Sequence, residues 1–356
     1  MQINGQEMSH DDFERSQGLV VRGHLNLSGS LIERVPDELT VLGNLYLNGC
    51  KRLREIGRVS VSGDMSAMEC EELRIIESAE IGGNLGIRGC KKLVGIFDHL
   101  SVAGSLIAVG CENLFHLPDG MRVGDEVDFR GCYRLKHLPD NMRVGYINFY
   151  LIPNVKAFPK NLRVEETLMV SECEWVTEIP EDMLVRGTIE ADRCENLKSI
   201  PAGTVLLGDL RMSGCLAFHT IPDGVMAGGS VDVSDSGLRE IGRGVKVGGD
   251  FSAYGTDIEE IPEDMSVGRN LDISYCRNLK RLPNVLHVPG FLDLNGCESL
   301  KKLPDQLSVS GMGLQGCEGL KFYRVGSGDD EFESYRVKVN GGVYIVRGGE
   351  MLAEAG

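Results

Sequence analysis

Eleven cysteines and two histidines in matching positions are the side chains of this chain that could do chemistry. The cysteines are Cys50, Cys70, Cys90, Cys111, Cys132, Cys173, Cys194, Cys215, Cys276, Cys297 and Cys317. Most neighbours are 20 or 21 residues apart, and the two wider steps, 41 and 61, are two and three of the same unit. A thiol can ligate zinc, form a disulfide or attack an electrophile. Zinc wants a second ligand at a spacing such as C-x-x-C, and no such pair occurs. An odd count leaves one cysteine without a mate, and thiols stacked in one direction oppose the Cβ geometry of a disulfide. A nucleophilic thiol needs an activating neighbour, which one repeated inward position does not supply. The frame therefore reads as an internal ladder of reduced thiols.

His116 and His137 each stand five residues after a cysteine, with Asp119 and Asp140 three residues beyond. Stacked on one flank, they could hold a metal, but a solvated pair is the expectation. The sequence has no G-x-x-x-x-G-K-[ST], H-E-x-x-H or G-x-S-x-G. No catalytic residue, metal or cofactor is expected, and the chain reads as non-enzymatic.

The elements that carry these residues are repeats. "LDLNGCESLKKLP" from Leu292 has near-copies from Leu45, Val127 and Leu271. Alignment fills the cysteine slot with Ser30, Ile152, Ser236 and Thr256 in the coils that lack it, giving about 15 repeats over residues 18–326. Alternation places Leu292 and Leu294 inward, and Phe291, Asp293 and Asn295 outward. After the strand the chain turns, and its freed backbone groups need partners under the next coil. A cysteine there can bond that backbone and pack as a small hydrophobe. After cysteine the next apolar residues come at +3 and +6, as in Leu300 and Leu303. After Ser30, Ser236 and Thr256 they come at +2 and +5, as in Leu238 and Ile241. The hydroxyl coils should fill the same slot with a turn one residue tighter.

The consensus V-x-G-x-L-x-L-x-G-C-x-x-L-x-x-L-P resembles the leucine-rich repeat. The phrase "LNGCESLKKLP" also resembles repeats of plant intracellular immune receptors. The short unit ending in "LPD" or "IPE" resembles bacterial leucine-rich repeat proteins, some of them type III secreted effectors. The resemblance implies a horseshoe solenoid, with a parallel β-sheet on its concave face and a mostly irregular convex side. Related ubiquitin-ligase effectors add a catalytic domain with a Cys-x-Asp motif. No cysteine here is followed two positions later by aspartate, so that activity is not carried over.

Composition bounds the rest. The 356 residues are 42% hydrophobic and 25% charged, with a formal net charge of −16. A broad basic footprint for direct nucleic-acid binding is not expected. No apolar run reaches the roughly 18 residues of a membrane span. The start, "MQINGQEMSHDDFERSQG", is polar and is not a Sec-type signal. A cytoplasmic location, or export by another route, follows as the expectation. At the N-terminus, Ser9 reads as the cap of a short helix over residues 10–17, with residues 1–17 closing the first coil. At the C-terminus, "YRVKV" and "VYIVR" flank "NGG", so residues 327–356 read as a hairpin cap with a frayed end at "EMLAEAG".

Function is then a matter of surface. Outward strand positions carry Ile107, Val109, Tyr146, Asn148, Tyr150 and Met169 near the middle, a candidate partner-binding patch. The C-terminal half carries an acidic patch of Glu190, Asp192, Asp209, Asp232, Asp250, Asp272 and Asp293. Repeat solenoids present extended surfaces of this kind to other proteins. A protein-binding module is the expectation, and the resemblance implies a bacterial effector. The alternative is an acidic decoy of nucleic acid or of another ligand of basic surfaces.

Overall fold

The computed structural model describes residues 2–320, 322–324, 334–339, 342–347 and 350–353. The chain is a parallel β-solenoid of about 15 turns with almost no helix. It forms two compact units, Met1–Met169 with Asp182–Val185, and Val170–Glu181 with Arg186–Gly356. No helix among the described residues is long and apolar enough to cross a membrane.

The first unit opens with Gln2–Ile3 paired antiparallel to Gln6–Glu7, followed by the helix His10–Arg15. Ser9 caps it by accepting from the Asp12 N–H, and Asp11 and Asp12 sit in the first turn. The helix stops two residues short of the expected 17 because the N–H of Ser16 already closes on Phe13 O. Phe13 is fully buried, and Glu14 Oε1 accepts from Glu33 N at 2.7 Å. Those two contacts fix the helix on the first coil.

The coils then stack in register. Leu25–Asn26, Leu45–Tyr46, Met65–Ser66, Leu85–Gly86 and Leu106–Ile107 pair in parallel. The sheet continues into the longer strands Arg122–Asp128, Arg143–Asn148 and Arg163–Met169. The first residue of each of these short strands is buried, and the second faces out or is half-covered, except Ser66, which is buried. The arms between turns were expected to be mostly irregular, yet they form parallel ladders of their own. Leu39–Val41 pairs with Glu55–Val61, which pairs with Ile75–Ile81, which pairs with Gly95–Val102. The cause is the V-x-G segment: Val41, Val61, Ile81 and Val102 recur at one inward position, and β-branched residues pack well there.

In the second unit the main sheet runs through Thr188–Glu190, Leu210–Arg211, Val231–Asp232, Phe251–Ser252, Leu271–Asp272, Val285–Asp293 and Gln306–Gly313. A second ladder joins Val205–Leu206, Met226–Ala227, Lys246–Val247 and Ser266–Val267. Beyond the coils the pairing turns antiparallel: Phe322–Arg324 with Ser334–Val339, then Gly342–Arg347, then Glu350–Ala353. Residues 350–353, expected to fray, are therefore a strand, and Met351 registers with Met312 of the last coil. Of the expected hairpin cap over 327–356, residues 327–333, 340–341, 348–349 and 354–356 lie outside the described residues.

Candidate functional site

The cysteines form the ladder that their spacing foretells. All eleven are free and buried. In ten of them, Cys50, Cys70, Cys90, Cys111, Cys132, Cys194, Cys215, Cys276, Cys297 and Cys317, Sγ donates to the carbonyl at the end of the strand of the preceding coil, 23 or 24 residues back. Cys70 reaches Leu47 O at 3.0 Å, Cys194 reaches Val170 O at 2.9 Å and Cys297 reaches Ile273 O at 3.1 Å. The same carbonyl also takes a backbone N–H from its own turn, as Leu47 O takes Cys50 N at 3.3 Å. Two donors fill its two lone pairs. Burial pushes the thiols of Cys111 and Cys215 up to about 12, and that of Cys194 up to about 11. These sulfurs are protonated donors at neutral pH, the opposite of what a nucleophile requires.

The hydroxyl coils occupy the same slot but bond differently. Ser236 Oγ donates to Val233 O of its own turn at 2.6 Å, and Thr256 Oγ1 donates to Ala253 O at 2.8 Å. A hydroxyl sits on a shorter bond than a thiol, so it closes its own turn and leaves the preceding coil alone. The missing loop residue brings that closure about. Ile152, in the remaining substituted slot, is buried and makes only packing contacts through its side chain.

His116 and His137 do lie on neighbouring coils, but their roles diverge. The His116 ring stacks on Phe97 with centroids 4.8 Å apart. Asp119 Oδ1 accepts from Asp140 N at 3.0 Å, and Asp140 Oδ1 accepts from Lys160 N at 2.9 Å. The aspartates are coil-to-coil struts. Among the described residues no group of three His, Cys, Asp or Glu side chains gathers to hold a metal.

The outward rows are less free than a bare sheet face. In many coils the residue before the strand lies at a corner, where its side-chain oxygen accepts the N–H of the same position one coil on. Asn44 Oδ1 takes Asp64 N at 3.0 Å, and Asp64 Oδ1 takes Asn84 N at 2.8 Å. Asp209 takes Ser230 N at 2.8 Å, and Asp250 takes Asn270 N at 3.0 Å. The glycine of V-x-G makes room for this strut. A Cβ on Gly63 would collide with Asn44 Oδ1, and one on Gly229 with Asp209 Oδ1. In the middle row, Asp232, Asp272 and Asp293 each accept the N–H two residues on, at 2.9–3.0 Å, an Asx-type turn.

Every carboxylate of the acidic patch is thus engaged. Arg211 pairs with Asp209 at 2.8 Å and with Glu190 at 3.6 Å. Asp192 accepts from Ser213 N at 2.9 Å, while burial pushes its carboxyl above the ordinary range. Asp209 is held below that range, first by the Ser230 N–H and then by Arg211.

The apolar patch divides. Tyr146, Asn148 and Met169 come together: the Tyr146 hydroxyl lies 3.4 Å from Met169 Sδ, and Asn148 Nδ2 lies 2.8 Å from it. Phe149–Leu151 leaves the strand as a single 3-10 turn, capped by Asn148 and followed by Pro153, which lifts Tyr150 to 57% exposure. Ile107 and Val109 stand apart. Between them and this group lies the coil of Asp128 and Arg130, which form a two-pronged ion pair. Burial raises the Asp128 carboxyl, and the Arg130 bonds outweigh that and bring it down.

Sequence reasoning passed over one further cluster. Phe115, Tyr133, Arg134, Lys136 and His137 line an open hollow of about 410 Å³ in the first unit. The signal was available: Leu135 and Leu138 turn inward, so the residues around them must turn out. No family model matches the chain, and no curated protein matches it.

Proposed function

We propose that the chain is a protein-binding module of the leucine-rich repeat kind, without enzymatic activity, engaging its partner through the outward face of the main sheet in the first unit. The observation that carries this reading is the deviant coil at Tyr146. It alone replaces Gly-Cys with Leu151-Ile152 and adds Pro153; its Tyr146 and Asn148 gather with Met169 of the next coil, and its Tyr150 stands exposed on the turn that follows. Aromatic residues grouped with apolar ones are what binding hot spots are made of. The decoy alternative draws on seven carboxylates that already serve backbone N–H groups or Arg211. An effector role rests on the resemblance to bacterial repeat proteins. Tyr146→Ala with Tyr150→Ala, in one protein, should leave the thermal midpoint near wild type and weaken a partner recovered from cell lysate at least tenfold. A partner that binds the double variant as tightly as wild type moves the site off this coil.

A further inference from the structure

The hollow beside His137 combines two properties that no structural role accounts for. Its walls include two well-exposed rings, Phe115 at 50% and Tyr133 at 66%. Its other lining side chains are Arg134, Lys136 and His137, with no carboxylate among them. Singly exposed rings are ordinary; in the hollow two stand together beside three cations, with no acid in the lining. Here Arg134 stands 5.7 Å over the Phe115 ring and makes only a long 3.4 Å bond to Asn113 Oδ1. Among the described residues Lys136 and His137 have no side-chain partner. The nearby aspartates are committed elsewhere: Asp119 and Asp140 to backbone N–H groups, and Asp128 to Arg130. From Phe115 to Arg163 the sequence holds eight Lys or Arg against five Asp or Glu, in a chain whose net charge is −16.

The coil frame explains how these groups meet. Leu135 and Leu138 are buried three and six residues after Cys132. The intervening Arg134, Lys136 and His137 must then face solvent, together with Tyr133. Phe115 holds the position of Lys136 one coil earlier, and its N–H is fixed to Val94 O at 3.0 Å. The lining residues lie in the turns that follow Cys111 and Cys132, which the buried Leu114, Leu135 and Leu138 anchor to the core.

Rings beside cations suit a ligand that is itself a flat ring bearing a compact anion. We propose that this hollow binds a phosphotyrosyl side chain of a protein partner, with Tyr133 and Phe115 flanking the ring and Arg134, Lys136 and His137 receiving the phosphate. Its volume lies within the roughly 300–1,000 Å³ of ligand pockets. A phosphate monoester brings about 1.5 to 2 negative charges, and guanidinium takes it by paired hydrogen bonds. Charge decides against a nucleic-acid strand. A strand carries an anion on every nucleotide, and the acidic remainder of the chain repels those outside the hollow. A phosphotyrosine places its charge only where the cations are. The site is on a different arm of the coil from the Tyr146 group and does not depend on it.

The test uses the full chain and a fluorescent Gly-Ser peptide bearing one phosphotyrosine, read by anisotropy. The phosphopeptide should bind at least tenfold more tightly than its unphosphorylated form and than a phosphoserine counterpart. Tyr133→Ala and Arg134→Gln should each weaken it at least tenfold. Both positions are exposed, so the thermal midpoints should match wild type. Tyr146→Ala with Tyr150→Ala should leave this affinity unchanged, which separates the two surfaces. Equal binding of the phosphoserine peptide would remove the ring from the argument. Tighter binding of a nucleoside monophosphate than of the phosphopeptide, or indifference to Arg134→Gln, would overturn the assignment.

Discussion

Coils built on cysteine and coils built on serine or threonine solve one problem in two ways. In both, the slot after the strand is buried and polar, and in both a strand-ending carbonyl is satisfied there. Cys276 crosses to Ala253 O of the coil before it, at 3.1 Å. Thr256 satisfies that same Ala253 O from within its own turn, at 2.8 Å. The thiol therefore reaches back to the preceding coil, whereas the hydroxyls of Ser236 and Thr256 close their own turns, and Thr256 also meets the Cys276 sulfur of the next coil at 3.4 Å. The loop length follows the choice: Leu279 is three residues past Cys276, and Ile258 is two past Thr256. The residue at this position thus decides whether the carbonyl of the preceding coil receives a side-chain donor from it.

The comparison breaks most visibly under alkali. Six thiols, those of Cys111, Cys132, Cys194, Cys215, Cys276 and Cys317, are pushed by burial to about 11 or 12, against an ordinary value near 9. Below about 9 both folded and unfolded chains keep these protons, and the stability is whole. Above it the unfolded chain ionises first, so stability falls as pH rises toward 11–12. Each thiol contributes a loss of about 1.4 kcal/mol per pH unit in that window. The urea midpoint should drop steeply between pH 9 and pH 10.5, and less steeply once Cys194 and Cys215 are both serine. A flat profile would mean that the thiols ionise in the folded chain, and rapid labelling of most of them by a thiol reagent at pH 8 would say the same.

A smaller effect comes from exchanging the two solutions. Cys194→Ser should destabilise by about 1–3 kcal/mol, through lost packing and an unsatisfied Val170 carbonyl. Cys194→Thr with Glu195-Asn196 shortened to one Asp copies the Thr256-Asp257 turn and should recover part of that loss by urea titration. If the shortened form is less stable than Cys194→Ser alone, slot chemistry and loop length are not coupled.

Ser236→Ala removes a bond inside a single turn and should cost about 0.5–1.5 kcal/mol. The smallest effect belongs to a position where either chemistry serves. Asn26 and Asn148 already accept the N–H two residues on in the first unit, as Asp232 does in the second. Changing Asp232, Asp272 and Asp293 to Asn should therefore shift stability by less than about 0.5 kcal/mol each. A calorimetric midpoint that falls by many degrees would show that the charge itself matters there.

Much of this was legible in the sequence, because one frame repeats. Inward Leu292 and Leu294, the buried thiols and the tighter turn after Ser236 all follow from spacing. The corner struts did not, although Asn44, Asp64 and Asn84 share a position. The named strands there are only two residues long. A residue just before one is already at a corner, not on an open face, and pattern alone does not tell where a strand begins. The split of the apolar patch was hidden for another reason. Ile107 and Tyr146 are two coils apart, and only the pairing of Arg130 with Asp128 shows what stands between them. At the hollow, His137 and its place on the flank were legible, but its grouping with Tyr133, Arg134 and Phe115 depends on how neighbouring coils stack there.

The thiol-to-carbonyl bond has a consequence for how such a gene can grow. Each bond needs only a cysteine and a strand-ending carbonyl 23 or 24 positions earlier, and the coil supplies both. A duplication of 20 or 21 codons, begun at any point in the frame, inserts one new donor and one new acceptor already matched to their neighbours. No compensating substitution is called for at either join. A deletion of the same length removes a matched pair. Length is therefore the property of this chain most open to inheritance by copying, while a shift of a few codons would leave a thiol facing the wrong coil.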